Sequence, residues 1–161
     1  GFFHDMTHSG INPYLTLQLA QVLLRAGDPR FAQLVHRVAE LASPTGQWPE
    51  AVHPLTDGGC MGDGQHGWAA AEWVLMMRAL FVREEGGSLV IGAGLLPEWM
   101  VPGNKLAFGP TPTRFGSVRV EVLCEAPRPT VTILGRWHEE EPEIVACLPG
   151  HCDVDMNVEQ G

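Results

Sequence analysis

The chain has 161 residues, and its ten basic and nineteen acidic side chains give a formal net charge of −9. This acidic balance argues against a general nucleic-acid-binding or anionic-membrane-binding surface. Apolar residues form 45% of the chain, enough for a packed core, and no apolar run reaches the roughly 18 residues of a membrane-spanning helix. We therefore expect a globular protein with neither nucleic acid nor a membrane as its partner.

The start of the chain and its cysteines indicate how the protein is processed and in which compartment it lies. The sequence begins Gly-Phe-Phe-His-Asp, without the basic and apolar regions of a signal peptide, and it reads like the interior of a longer protein. The cysteines are too scattered to indicate a disulfide framework, a zinc knuckle or a redox motif. We interpret them as ordinary thiols, which leaves the compartment open and favours the cytoplasm. They are Cys60, Cys124, Cys147 and Cys152.

The first two predicted helices form an αα-hairpin. Asn12 is a suitable N-cap, Pro13 suits the first helical position, and Gly27 is a typical stop. A second apolar stripe follows directly over residues 31–42. Because only two or three residues separate the two stripes, we expect the helices to run antiparallel.

A third helix is predicted from about residue 65 to residue 85, and it is apolar on nearly every side. Such a helix is typically buried on all sides. Two preceding helices cannot surround a third, so the pattern indicates that most of its packing partners lie outside this sequence. Made alone, the chain is expected to expose apolar surface on this helix and to self-associate.

Short β-branched segments separated by Gly and Pro follow the helices. Val118, Val120 and Val122 alternate with Arg119 and Glu121, which is the period of a half-buried strand. We interpret residues 86–100 as a connector and residues 101–161 as a small antiparallel sheet or sandwich. The predicted strands cover residues 88–91, 105–108, 117–124, 130–134 and 143–148, with a frayed edge at 154–158.

A segment of about twenty residues between the second and third helices is too long for a plain connection, and such loops are usually functional or disordered. Its two Trp, two His and three carboxylates argue against disorder. Glu50 follows Trp48 and Pro49, a setting that suits a carboxylate to general acid–base work. An exposed loop glutamate or a helix-capping acceptor is the alternative interpretation of Glu50.

The aromatic side chains near this loop have two interpretations each. Trp48 and Trp68 can stack on a sugar ring or pack in the core, whereas Trp73 is interpreted as a core residue. His53 and His66 can hydrogen-bond a ligand hydroxyl or satisfy the loop backbone.

Two acidic side chains and a histidine pair complete the candidates. Asp63 is interpreted as the N-cap of the third helix, and Glu72 as either ion-paired or facing a polar cleft. His4 and His8 have the spacing of two metal ligands on one helix face, but a third ligand is not evident. We expect neither a metal nor a cofactor, and we interpret residues 2–5 as lining a cleft.

Two motifs together resemble the C-terminal end of the six-hairpin glycosidases. They are GQWPEAVHP at residues 46–54 and GDGQHGWAAAEW at residues 62–73. Those enzymes, which are glucoamylase-like or α-rhamnosidase-like, are (α/α)6 toroids, and a β-rich domain commonly follows the toroid. The resemblance implies that residues 1–85 are the last helices of a toroid and that a small antiparallel β domain follows them.

The resemblance also implies a reaction and a site. Glu50 corresponds to the general base of an inverting glycoside hydrolase, which activates a water against the anomeric carbon. The general acid, roughly 6.5–9.5 Å from the base in such enzymes, is expected upstream of residue 1, so the chain alone should be inactive. The implied partners are a carbohydrate substrate and the rest of the toroid. The sugar subsite would be lined by Trp48, His53, His66 and Trp68.

Two other functions stay open from the sequence. The chain can be a non-catalytic carbohydrate-binding or packing module, in which Glu50 only hydrogen-bonds sugar hydroxyls. It can also be a structural fragment without a ligand.

Overall fold

The structure is a computed structural model that describes residues 1–4, 10–125, 127–151 and 153–161. It divides the chain into two compact units, residues 1–77 and residues 78–161, and the division falls inside the third helix. Each unit is described by itself below. The predicted domain limits at residues 85 and 100 stay predictions.

The first two helices form the predicted hairpin in the first unit. α1 spans Pro13–Arg25 and α2 spans Arg30–Glu40. The Asn12 side-chain oxygen accepts a hydrogen bond from the backbone N–H of Leu15 at 3.0 Å, which confirms the predicted N-cap. Gly27, with a φ of 69°, turns the chain between the helices. Their facing residues are buried and form part of the core of the unit: Leu17, Ala20, Leu24, Val35 and Val38.

A small sheet shares the first unit with these helices. Its four short strands are β1 (Phe3–His4), β2 (Gly10–Ile11), β3 (Ala51–Val52) and β4 (Gly59–Met61), paired antiparallel in that order. β3 and β4 come from the segment between α2 and α3, and they pair with strands that precede α1. This segment is therefore anchored to the sheet and is more ordered than a plain loop.

The third helix, α3, spans Gly67–Phe81 and runs directly into a strand. Ala69 and Met76 are fully buried, but Trp68, Val74 and Leu75 are largely exposed. The described structure therefore shows the apolar surface that we expect this helix to expose in the chain alone.

The second unit contains two sheets. Its elements after α3 are β5 (Val82–Glu85), β6 (Ser88–Ile91), a 3₁₀ turn (Pro97–Trp99), β7 (Lys105–Thr113), β8 (Gly116–Leu123), β9 (Thr130–Trp137), β10 (Glu143–Ala146) and β11 (Asp155–Gln160). The strand orders are β10-β6-β5 and β11-β9-β8-β7. Val118, Val120 and Val122 on β8 are fully buried, which confirms the predicted alternation.

The prediction of a purely antiparallel sheet is wrong for the second unit. β10 pairs parallel with β6, and β11 pairs parallel with β9. Parallel neighbours need a crossover connection and cannot be joined by a tight hairpin. The chain makes that crossover after β9, when it adds β10 to the smaller sheet before it returns to the edge of the larger one.

The predicted fold class, the last helices of an (α/α)6 toroid followed by an antiparallel β domain, is wrong. Strands hold 35% of the residues and helices 27%, so the helices are in the minority. Strands also accompany α1 and α2 within the first unit. The protein is a small mixed α/β protein. The physical reason for the error is that strands of two or three residues are too short to show a period in the sequence.

Neither membrane insertion of a helix nor disulfide bonding is indicated in the described part of the chain. No helix there combines the length and the apolarity needed to cross a bilayer. Cys60, Cys124 and Cys147 form no disulfide among the described residues, and Cys152 lies outside them. Burial raises the pKa of the Cys124 thiol, so this sulfur stays protonated at neutral pH.

Candidate functional site

Trp48 is a core residue of the first unit. Its side chain is only 4% exposed, and its ring centroid lies 5.3 Å from that of Trp73. The indole N–H donates a hydrogen bond to the backbone carbonyl of Val38 at 2.7 Å. Val38 is in the last turn of α2, where carbonyls lose their helical partners, and the N–H of Ala42 donates to Ala39 instead. Trp48 therefore caps the C-terminus of α2 from the side.

Glu50 lies at the bend before β3 and is half-buried. Its backbone N–H donates to the carbonyl of Met61 at 3.0 Å, and a Cβ on Gly62 would lie 3.2 Å from the Cβ of Glu50. The Glu50 carboxylate has no hydrogen-bond partner among the described residues. A groove of about 480 Å³ passes Pro49 and Gly62, but Glu50 does not line it. The structure thus fixes the backbone of Glu50 and does not place its carboxylate in this groove.

His53 organises the turn between β3 and β4. Its Nδ1 accepts a hydrogen bond from the backbone N–H of Leu55 at 3.2 Å, and its carbonyl accepts from Asp57 at 2.9 Å. This is the backbone-satisfying arrangement that the sequence left open for His53.

The predicted N-cap role of Asp63 is wrong. The Asp63 carboxylate accepts a hydrogen bond from the backbone N–H of Gln65 at 3.0 Å, which closes a local turn before the helix. The backbone carbonyl of His66 accepts hydrogen bonds from the N–H groups of Ala69 and Ala70 in the first turn of α3. The Asp63 side chain lies too early in the chain to cap this helix.

Three aromatic rings meet where α1 and α3 begin. Tyr14 lies in the first turn of α1, Trp68 in the first turn of α3, and His66 just before α3. The ring centroids are 5.2 Å apart for Tyr14 and His66, 5.5 Å for Tyr14 and Trp68, and 5.6 Å for His66 and Trp68. We call these three residues the aromatic cluster. Tyr14 was not predicted, because no local pattern shows that two helix starts 54 residues apart are neighbours.

Trp68 is the exposed member of the aromatic cluster. Its side chain is 66% exposed, although Tyr14 packs edge-on against it at 81°. His66 is held by its backbone N–H, which donates to the carbonyl of Trp48 at 2.8 Å. Tyr14 and His66 therefore hold the indole of Trp68 in a defined position at the surface.

A hydrogen-bonded carboxylate lies one helical turn from these rings. Glu72 follows Trp68 by four positions on α3, and Gln18 follows Tyr14 by four positions on α1. The amide nitrogens of Gln18 and Gln21 each donate to a different oxygen of Glu72, both at 2.8 Å. Glu72 forms no ion pair with a described residue. The ion-paired interpretation of Glu72 therefore finds no support among the described residues, and the polar cleft stays a prediction.

A larger cavity lies elsewhere, in the second unit. Its volume is about 790 Å³, and the guanidinium of Arg114 stacks on the ring of Phe115 at 4.5 Å in its wall. None of the predicted site residues lines it. We give it less weight than the aromatic cluster, because it is an open groove and the side chains that converge there show no matching set of fixed polar partners.

No group of three or more His, Cys, Asp or Glu side chains that could hold a metal ion occurs among the described residues. The His4 side chain and the whole of Asp5 and His8 lie outside what the structure describes.

Comparisons of the chain with family models, with curated proteins and with solved structures find no match. The resemblance to the six-hairpin glycosidases, and with it the expected partner helices of a toroid, is therefore not supported and is corrected here. It depended on two short motifs in residues 46–73, and the structure places them in a mixed α/β unit. What the protein does has to be inferred from the side chains themselves.

Proposed function

We propose that the first unit binds a carbohydrate at the aromatic cluster. The observation that carries this proposal is the exposed indole of Trp68, held by Tyr14 and His66 beside the hydrogen-bonded carboxylate of Glu72. The flat, apolar face of an indole stacks on the C–H face of a sugar ring, and its fixed orientation lowers the entropic cost of binding.

Polar groups stand at a suitable distance from the indole. Side chains four positions apart on a helix are neighbours, with Cβ atoms about 5–6 Å apart. A sugar ring stacked on Trp68 therefore has its hydroxyls within reach of Glu72. The amides of Gln18 and Gln21 already hold this carboxylate in place, so its free lone pairs are oriented before a ligand arrives.

The structural alternative is an exposed Trp68 without a ligand. Single exposed apolar side chains are common and require no function. The neighbouring carboxylate and amides distinguish this surface from a plain apolar patch, because they favour a ligand with hydroxyl groups.

Replacing Trp68 with alanine is expected to weaken oligosaccharide binding at least tenfold, about 1.4 kcal/mol, because stacking area is lost. Folding stability should change by less than about 0.5 kcal/mol, since the side chain is exposed. The measurement is a glycan array for the wild-type chain, then calorimetric titration of its best ligand. Val74→Ala is the matched control: Val74 is also on α3 and is 63% exposed. Absence of any glycan ligand, or equal binding by Trp68→Ala, contradicts the proposal.

Cleavage of a glycosidic bond stays a separate prediction that concerns Glu50. An inverting reaction needs two carboxyl groups roughly 6.5–9.5 Å apart, one as base and one as acid. We expect the purified chain to release no nitrophenol from aryl glycosides, because Glu50 alone cannot serve as both. Turnover that Glu50→Gln lowers by about a hundredfold or more, the contribution of a positioned base, would contradict this expectation.

A further inference from the structure

We propose that the ligand of the aromatic cluster is a cationic amino sugar, bound through its ammonium group to Glu72. This inference rests on the proposed carbohydrate-binding function and specifies the substrate class. It follows from three properties of the same surface: the neutral partners of Glu72, the charge of the unit, and the exposed indole beside the carboxylate.

The carboxylate of Glu72 has only uncharged partners in the described part of the chain. Each of its oxygens accepts one amide N–H, from Gln18 or Gln21. An amide orients a carboxylate but does not neutralise its charge, and each oxygen keeps a lone pair free. An ammonium group that reaches these lone pairs forms an ion pair as well as a hydrogen bond with the carboxylate, whereas a neutral hydroxyl forms only the hydrogen bond.

The charge of the first unit points the same way. Residues 1–77 contain three arginines and no lysine against seven acidic side chains. Arg30 pairs with Asp28 and Arg37 with Asp57, so these two of the three arginines are engaged away from Glu72. A negative surface attracts cationic ligands and repels anionic ones, so uronic acids and phosphorylated sugars are disfavoured here.

The indole adds a second attraction for the same cation. A positive charge near the face of a tryptophan is stabilised by the ring quadrupole, and Trp68 exposes 66% of its side chain one turn from Glu72. A neutral sugar gains only stacking and the hydrogen bonds of its hydroxyls at this place. An amino sugar gains both of these and the two charge interactions.

The test compares D-glucosamine, D-glucose and D-glucuronate in NMR titrations that follow the indole N–H of Trp68, below neutral pH so that the amine is protonated. We expect glucosamine to bind about tenfold more tightly than glucose, as an added ion pair and cation–π contact together imply, and glucuronate to bind most weakly. Added salt should weaken the binding of glucosamine and leave that of glucose nearly unchanged.

Glu72→Gln keeps the shape of the side chain and removes its charge. We expect this variant to bind glucosamine no more tightly than glucose, and the Gln47→Glu variant, changed at an exposed glutamine outside the cluster, to keep the wild-type preference. Equal affinity of the wild type for glucosamine and glucose, a preference for glucuronate, or a preference that survives Glu72→Gln overturns the inference while the proposed function stands. A Trp68 resonance that no sugar shifts overturns both.

Discussion

Replacing Trp48 with alanine is expected to lower the free energy of unfolding of the first unit by about 3–5 kcal/mol, as deletion of a buried tryptophan does in other cores. Two losses add together at this position. The ring is 4% exposed and packs against Trp73, so its removal leaves a cavity. Its N–H also satisfies the carbonyl of Val38 at the end of α2, and a buried acceptor without a partner costs about 1–3 kcal/mol.

Urea denaturation followed by far-ultraviolet circular dichroism measures this effect. Trp48→Phe separates the two losses, because it keeps most of the volume and removes only the N–H donor. Trp68→Ala is the control, since it deletes the same side chain from an exposed position and should change stability by less than about 0.5 kcal/mol. A Trp48→Ala variant with wild-type stability and weakened sugar binding would favour the predicted substrate contact over the packing role.

The second large effect is expected in the second unit, at Gly116. Gly116 opens β8 with a φ of 141°, and a Cβ there would clash with the carbonyl oxygen of Arg136 on β9. Backbone cannot move aside as a flexible side chain can, so Gly116→Ala should separate the two strands where they begin to pair. We expect the free energy of unfolding to fall by at least about 3 kcal/mol, because the strain of a positive φ and this clash act together.

Gly87→Ala is the matched control for Gly116→Ala. Gly87 lies between β5 and β6 in the same unit, it has no left-handed φ, and a Cβ there would meet nothing within 4 Å. The Gly87→Ala variant should therefore unfold at the same temperature as the wild type. Thermal unfolding in parallel on the three proteins decides the matter, and an unchanged midpoint for Gly116→Ala would show that β8 and β9 can shift apart without cost.

Local signals in the sequence were sufficient for some elements and not for others. Asn12 and Pro13 predict the start of α1 because capping involves only the next three residues. The alternating valines of β8 predict a half-buried strand because one face of that strand is buried along its whole length. In both cases the physical cause lies within the segment itself.

Other features depend on residues that are far apart in the chain. Glu72 contacts glutamines 51 and 54 positions away, and Tyr14 meets Trp68 only because α1 and α3 begin side by side. The sequence could not distinguish Trp48 from Trp68, since both lie near the same loop with similar neighbours. Burial decides between them, with one indole inside the core and the other at the surface.

The parallel placement of β11 has a consequence for chain association. β11 covers the edge of β9, whose residues 130–135 read TVTILG, a β-branched, uncharged run of the kind that pairs with strands of other molecules when uncovered. β11 itself ends the described sheet and carries Asp155 and Glu159, charges that discourage a further strand from adding to it. β11 thus protects the edge of β9 in the described sheet. Its loss would expose the unpaired backbone N–H and C=O groups of β9 to strands of other molecules, which favours fibril formation.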